Sequence, residues 1–302
     1  MKTRLTDLLG IRHPIVLPGM TYVAVPRLVA AVSRAGGLGI LASGGLSPDE
    51  CRAAIREVRS LTDLPFGVGC SLMLPGATEC AKVALEEQVP LINVSMGKGE
   101  WVIEGARRYG GKVMATISNE QHARSALECG VDGLIVTGHE AAAHGGKVTS
   151  MVLIPAVRDM TDKPLIAAGG FADGRGLVAA LALGADAVAM GTRFASAAES
   201  PLHDATKRMI IDKEAEATIY SSNFDPFPCR VMDTPGGRRY TARRLSPPVA
   251  IGRSLAAARE LNTPLGALAR EALQQGLVGA VKVAYFGAAT LAMRKAMHEG
   301  DH

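Results

Sequence analysis

The segment GLIVTGHEAAAHGGKVTS, residues 133–150, places His139 and His144 on either side of the carboxylate of Glu140, directly after an apolar run. Imidazole is the side chain whose ordinary pKa suits proton transfer near neutral pH. These residue types allow three readings: an acid–base catalyst, a metal site, or a structural loop. Spacing argues against metal. A zinc site needs three or four ligands, and in an H-E-x-x-H helix the second histidine comes one position earlier than His144 does here. The remaining histidines, at 13, 122, 203, 298 and 302, are scattered along the chain, so no metal is expected. Between the other two readings, a lone loop histidine is more often structural or solvent-facing than catalytic.

Two further stretches carry chemical signals. AAGGFADGRG contains Gly169 and Gly170, and MGTRF contains Gly191 and Thr192. Paired glycines let backbone N–H groups approach an anion closely, and a helix start favours negative charge. These four residues are the candidate phosphate site. A third glycine pattern, G-x-G-x-x-A at Gly37, Gly39 and Ala42, is not a dinucleotide fingerprint. Its glycines follow a helix and open a strand, the reverse of the required order.

These residues need a scaffold, and the chain repeats one unit: a short apolar run, a glycine or polar loop, then an amphipathic helix. The strand candidates are 14–18, 38–42, 66–71, 91–95, 112–116, 133–137, 164–168 and 187–191. Each is continuously apolar, as parallel strands covered on both faces are. Ser47 before Pro48 reads as a helix cap, and PRLVAAVSRAGG ends in a glycine stop. Eight such units predict an α/β TIM (β/α)8 barrel over 1–200, with an open doubly wound sheet as the alternative. In a barrel, the residues just after each strand form the active-site face, and the loops after strands seven and eight commonly bind phosphate. From 201 to 302 the rhythm stops. Residues 200–260 read as irregular and 263–299 as helix, a small C-terminal helical appendage packing on the barrel.

Composition narrows the function classes. The 302 residues are 48% hydrophobic and 21% charged, which suits a large core and excludes a disordered chain. A net charge of +4 does not argue for nucleic acid. Five cysteines without a C-x-x-C pair predict no disulfide framework and a reducing, cytoplasmic setting. No secretory leader is expected before His13, and no run approaches the ~18 apolar residues of a membrane span. Arg238, Arg239, Arg243 and Arg244 read as a solvated loop, with phosphate-bearing substrates as the functional alternative.

The stretches HPIVLPGM, AVSRAGGLGILASGG, GHEAAAHGG and IAAGGFADGRGLVAALALGADAVAMGTRF together resemble the nitronate monooxygenase (2-nitropropane dioxygenase) family. Its superfamily includes FMN-dependent enoyl-ACP reductases and NADH:quinone reductases. The resemblance implies an FMN barrel of oxidoreductase activity. Gly169, Gly170, Gly191 and Thr192 would hold the FMN phosphate, and Gly19 and Met20 would pass near the isoalloxazine. His144 matches the family's catalytic histidine, the base that takes the α-proton of a nitroalkane before O2 completes the oxidation. Implied partners are a small-molecule substrate and O2, or NAD(P)H if the chain is instead a flavin reductase of quinones or enoyl groups. A flavin- or phosphate-binding barrel without turnover is a further alternative. No nucleic-acid or membrane partner is implied; barrels of this build often pair as homodimers.

Several positions depart from the family pattern. Ala142 and Ala143 replace glycines, and Leu17 stands where strand one often carries Gln. Gly69 stands where strand three often carries Asn, so a side-chain amide near the flavin is absent there. Thr116 stands where some relatives have Lys. The chain also stops at EGDH, where relatives continue into another helix.

Overall fold

The computed structural model describes residues 1–302 except 75, 143, 226, 244, 261–279, 282–283, 286–288, 290–292 and 301–302. The chain divides into two compact units. One comprises Met1–Ala141 and Gly145–Pro201, the other Ala142–His144 and Leu202–His302.

The first unit is a closed barrel of eight parallel strands, each hydrogen-bonded to the next and β8 to β1. The strands are β1 (Ile15–Leu17), β2 (Leu38–Ala42), β3 (Phe66–Ser71), β4 (Leu91–Ser95), β5 (Lys112–Ile117), β6 (Gly133–Thr137), β7 (Leu165–Ala168) and β8 (Ala187–Ala189). All eight expected strands form. The eighth ends at Ala189, and Gly191 opens a one-turn helix, α9 (Gly191–Ala195), instead of closing the strand. Ahead of β1 lies α1 (Arg4–Leu9). The crossovers are α2 (Pro26–Arg34), α3 (Pro48–Leu61), α4 (Ala77–Glu86), α5 (Glu100–Arg107), α6 (Glu120–Cys129), α7 (Ser150–Arg158) and α8 (Gly174–Ala182). Local chemistry sets their ends. The Ser47 hydroxyl accepts from Glu50 N while the Glu50 carboxylate accepts from Ser47 N, a complete capping box before Pro48. Gly130, at φ +87°, stops α6 in the left-handed region.

Because side chains alternate along each strand, every second residue enters the barrel. Val16, Leu38, Ile40, Leu91, Met114, Ile135 and Ile166 fill its interior, and Leu5, Leu9 and Ile11 join the same cluster from the N-terminal end. Asp186, just before β8, ties that end together. Its buried carboxylate accepts from Arg4 N and Nη1, Arg158 Nη1 and Leu165 N. Removing it leaves the Arg158 guanidinium, whose side chain is 15% exposed, with backbone carbonyls but without its carboxylate. Asp186→Ala is expected to cost about 3 kcal/mol, read as a drop of several degrees in Tm with the far-UV spectrum of the folded state unchanged.

The second unit corrects the expectation of an irregular 200–260. It contains α10 (Asp204–Asp212), an antiparallel pair β9 (Thr218–Ser221) and β10 (Cys229–Met232), α11 (Pro235–Ala242) and α12 (Pro247–Glu260). Alternation is weak because these strands are only partly buried, so the pair does not announce itself by periodicity. Phe224, Cys229 and Ala289 form one small core, with Val231, Tyr240 and Met293 against it. Most of the helix expected at 263–299 lies outside the described residues; a short π-helical turn covers Lys295–Glu299. Among the described residues, no helix is long and apolar enough to cross a membrane.

Candidate active site

The C-terminal end of the barrel is lined on one side by glycine. Gly169 and Gly170 both take positive φ, +105° and +81°, which L side chains rarely adopt. A Cβ on Gly169 would lie 2.9 Å from Ala141 N, so this glycine is required by the turn itself. Gly170 is exposed beyond it, and a Cβ there would meet Glu140 Cβ at 3.3 Å. Gly191 starts α9 beside exposed Thr192, and a Cβ on it would meet only Met20 Sδ, at 3.4 Å. Met20 after β1 and Gly191 after β8 are thus neighbours. Arg193 Nε donates to Ala172 O at 2.9 Å and ties the loops after β7 and β8 together. The N-terminus of α8 is already filled: Asp173 accepts from Arg175 N and Gly176 N, and the Arg175 guanidinium holds its carboxyl down at about 2.

Further round the mouth, Gly19 and Gly69 face each other. A Cβ on Gly69 would lie 3.6 Å from Gly19 Cα, and Ile40 Cγ2 lies under both. Gly69 pairs in register with Asn93 on β4, and Asn93 is 8% exposed. Asn93 Nδ2 donates to Thr116 Oγ1 at 2.9 Å, and the Ser71 and Ser95 hydroxyls bond each other at 2.9 Å. The amide absent from β3 at Gly69 thus has a counterpart one strand over. Sequence reasoning missed it; the signal was one polar residue two positions after Leu91 in an apolar strand. Met73, just after β3, is 46% exposed. Cysteine nucleophiles are disfavoured at Cys70 and Cys229, whose thiols burial pushes up to about 12.

The loop from Gly138 to Thr149 separates its two histidines by role. His139 is built into the loop: its N–H donates to Val148 O, and its Nδ1 lies 2.9 Å from Gly146 O. The Glu140 carboxylate accepts from Ser150 N and Oγ, capping the start of α7. Neither residue is a catalyst by its contacts. Ala142 does not take positive φ, so its methyl group puts no strain on the backbone; Ala143 lies outside the described residues.

His144 belongs to the second unit, where its Nε2 lies 2.8 Å from Asp225 Oδ2. The Asp225 side chain is 7% exposed and that of His144 35%. Asp225 sits in the turn between β9 and β10, where its Oδ1 accepts from Phe227 N at 2.8 Å. The Phe227 ring stands edge-on to the imidazole, 5.8 Å between centroids. A carboxylate only accepts, so Nε2 carries the hydrogen of the neutral ring and the lone pair is on Nδ1. That is the tautomer and support a general base needs. Asp225 was not anticipated. Its only sequence signal is an aspartate just ahead of two prolines in SSNFDPFPC, 81 positions from its partner. Of the arginine cluster, Arg238 is paired with Asp233 and Arg244 lies outside the described residues.

These features define a (β/α)8 barrel with a glycine-lined mouth, joined to a unit that holds a carboxylate-paired histidine. The nitronate monooxygenase family profile matches residues 2–99 and 76–276. A Mycobacterium tuberculosis 5-hydroxy-7a-methyl-1-oxo-octahydro-1H-indene-4-carboxyl-CoA dehydrogenase is 41% identical over 237 residues, 78% of this chain and 67% of that protein. A probable nitronate monooxygenase of Staphylococcus saprophyticus is 30% identical over 77% of this chain and 79% of its own length. Among solved structures, FabK from Thermotoga maritima superimposes with a TM-score of 0.79 at 38% identity, covering 100% of this chain and 86% of that one. The chain belongs to the nitronate monooxygenase family, a family of oxidoreductases.

Proposed function

We propose that this chain is an FMN-dependent oxidoreductase of carbon acids, oxidising nitroalkanes and alkyl nitronates with O2, and that His144 is its general base. The observation that carries this reading is the 2.8 Å pair between His144 Nε2 and the buried Asp225 carboxylate. A base of this kind takes a proton from carbon beside an electron-withdrawing group. Asp225 then stabilises the imidazolium that forms and keeps the ring oriented.

The barrel residues fit FMN. Gly170, Gly191 and Thr192 offer backbone N–H groups in a cradle that a Cβ at Gly191 would begin to fill, and Gly169 sets the turn that presents them. Gly19 and Gly69, packed beside Ile40 with Met20 next in the chain, present backbone with no protruding side chain to a flat ring lying over them. FMN, when bound, supplies the electron acceptor for the deprotonated substrate and the donor to O2. The chain's own part is to bind, orient and deprotonate.

A second reading is favoured by the 41% identity to a carboxyl-CoA dehydrogenase. In that case the carbon acid is an acyl thioester, and the same base takes its α-proton. A nicotinamide-driven flavin reductase is the further alternative. Anaerobic mixing of the FMN-loaded protein separately with nitroethane, an acyl-CoA and NADH distinguishes them. Bleaching of the flavin by nitroethane supports the proposal, bleaching by the thioester the second reading, and bleaching by NADH alone rejects both. A flavin reduced by none of the three leaves a binding barrel without this turnover.

A further inference from the structure

We infer that Asn93 is a flavin-binding residue, its side-chain oxygen accepting the imide N–H of the ring. This deepens the FMN reading above and rests on it. The hydrophobic cluster that fills the barrel interior is Leu, Ile, Val, Met and Ala. A buried amide there is costly unless its hydrogen-bonding capacity is met. Asn93 Nδ2 donates to Met114 O at 3.3 Å and to Thr116 Oγ1 at 2.9 Å. A backbone carbonyl only accepts, so this contact orients the amide and uses both of its hydrogens. Oδ1 has two lone pairs, and the Thr116 hydroxyl, 3.2 Å away, takes at most one. One acceptor site is left on a buried residue, Asn93 being 8% exposed. Its complement is an N–H donor on a group that reaches into the barrel mouth.

The register says which group that is. Going round the closed barrel, β4 stands four strands from β8 in either direction, opposite the Gly191 side of the mouth. Gly19 and Gly69 lie on the way, and Gly69 is the direct neighbour of Asn93 across the β3–β4 ladder. Paired residues on adjacent strands are about 4.8 Å apart and point to the same side. A tricyclic ring whose phosphate tail sits at β7 and β8 therefore brings its far edge to Asn93. The polar edge of a flavin is an imide, an N–H between two carbonyls. Asn93 Oδ1 accepts that N–H, and Ser71 and Ser95 are hydroxyls on the same side of the mouth. Thr116 is a positioning residue, holding the amide by its hydroxyl.

The test compares FMN with 3-methyl-FMN, in which the imide N–H is replaced by N–CH3, binding to the full-length deflavinated protein by fluorescence quenching. The wild type is expected to prefer FMN by roughly tenfold. Asn93→Leu is expected to bind both flavins equally, with FMN weakened to that common level. Thr116→Val, which keeps the side-chain shape, is expected to give an intermediate preference. Equal binding of the two flavins by the wild type overturns the inference whatever the variants do, and so does full discrimination by a folded Asn93→Leu. If Asn93→Leu does not fold, the wild-type preference and its reduction in Thr116→Val decide. A wild type that binds no FMN overturns the cofactor reading itself, a failure distinct from equal binding of the two.

Discussion

His144→Ala is expected to lower kcat/KM for nitroethane by about 10²-fold or more, the usual contribution of a positioned general base. The same variant is expected to oxidise ethyl nitronate at close to the wild-type rate, because that substrate arrives already deprotonated. The split separates a base from a merely structural residue. A structural loss disturbs both substrates; loss of a base disturbs only the one that still carries its proton. The His144 side chain is 35% exposed, so its truncation removes no large part of a core. Steady-state rates with the two substrates, at matched FMN occupancy, read the outcome. Equal losses on both would remove His144 from the proton-transfer role.

Asp225→Asn is the second large effect, and it acts through the tautomer. Asp225 Oδ1 accepts from Phe227 N, and Oδ2 meets His144 Nε2. An amide oxygen keeps the first contact, which leaves the NH2 facing Nε2. Two donors cannot share that contact, so the imidazole is driven to carry its hydrogen on Nδ1, and its lone pair is spent on the amide. A loss on the order of 10²-fold with nitroethane is expected, again with little change for the nitronate. A variant with unchanged rates on both substrates would mean that Asp225 serves only its turn.

The barrel residues and the His144 pair differ in how far the sequence reveals them. The eight strands are readable because buried parallel strands are continuously apolar, and LINVS or GLIVT has no other reasonable role at that spacing. The glycines after β7 and β8 are readable for the same reason: once the strands are located, their loops are too. Gly169 even shows its necessity locally, through φ +105°. The partner of His144 is a different matter. Asp225 lies in a hairpin turn whose strands are only partly buried, so neither period nor capping marks the turn, and the contact joins residues far apart in the chain. Asn93 was hidden in another way. A single polar residue in an apolar strand looks like an exception until the register sets it beside Gly69 and its amide meets the Thr116 hydroxyl. Long-range pairing is decided by topology, and local pattern carries little of it.

The central claim is that a carbon-bound proton is removed at His144 before electrons reach FMN. Anaerobic stopped-flow reduction of the FMN-loaded protein by nitroethane, unlabelled and deuterated at the reacting carbon, tests it most directly. The account predicts that deuterium slows bleaching of the flavin in the wild type, and that His144→Ala bleaches far more slowly with either isotopologue while its bleaching by ethyl nitronate persists. Bleaching by NADH alone, or nitroethane bleaching at the wild-type rate in His144→Ala, would contradict it.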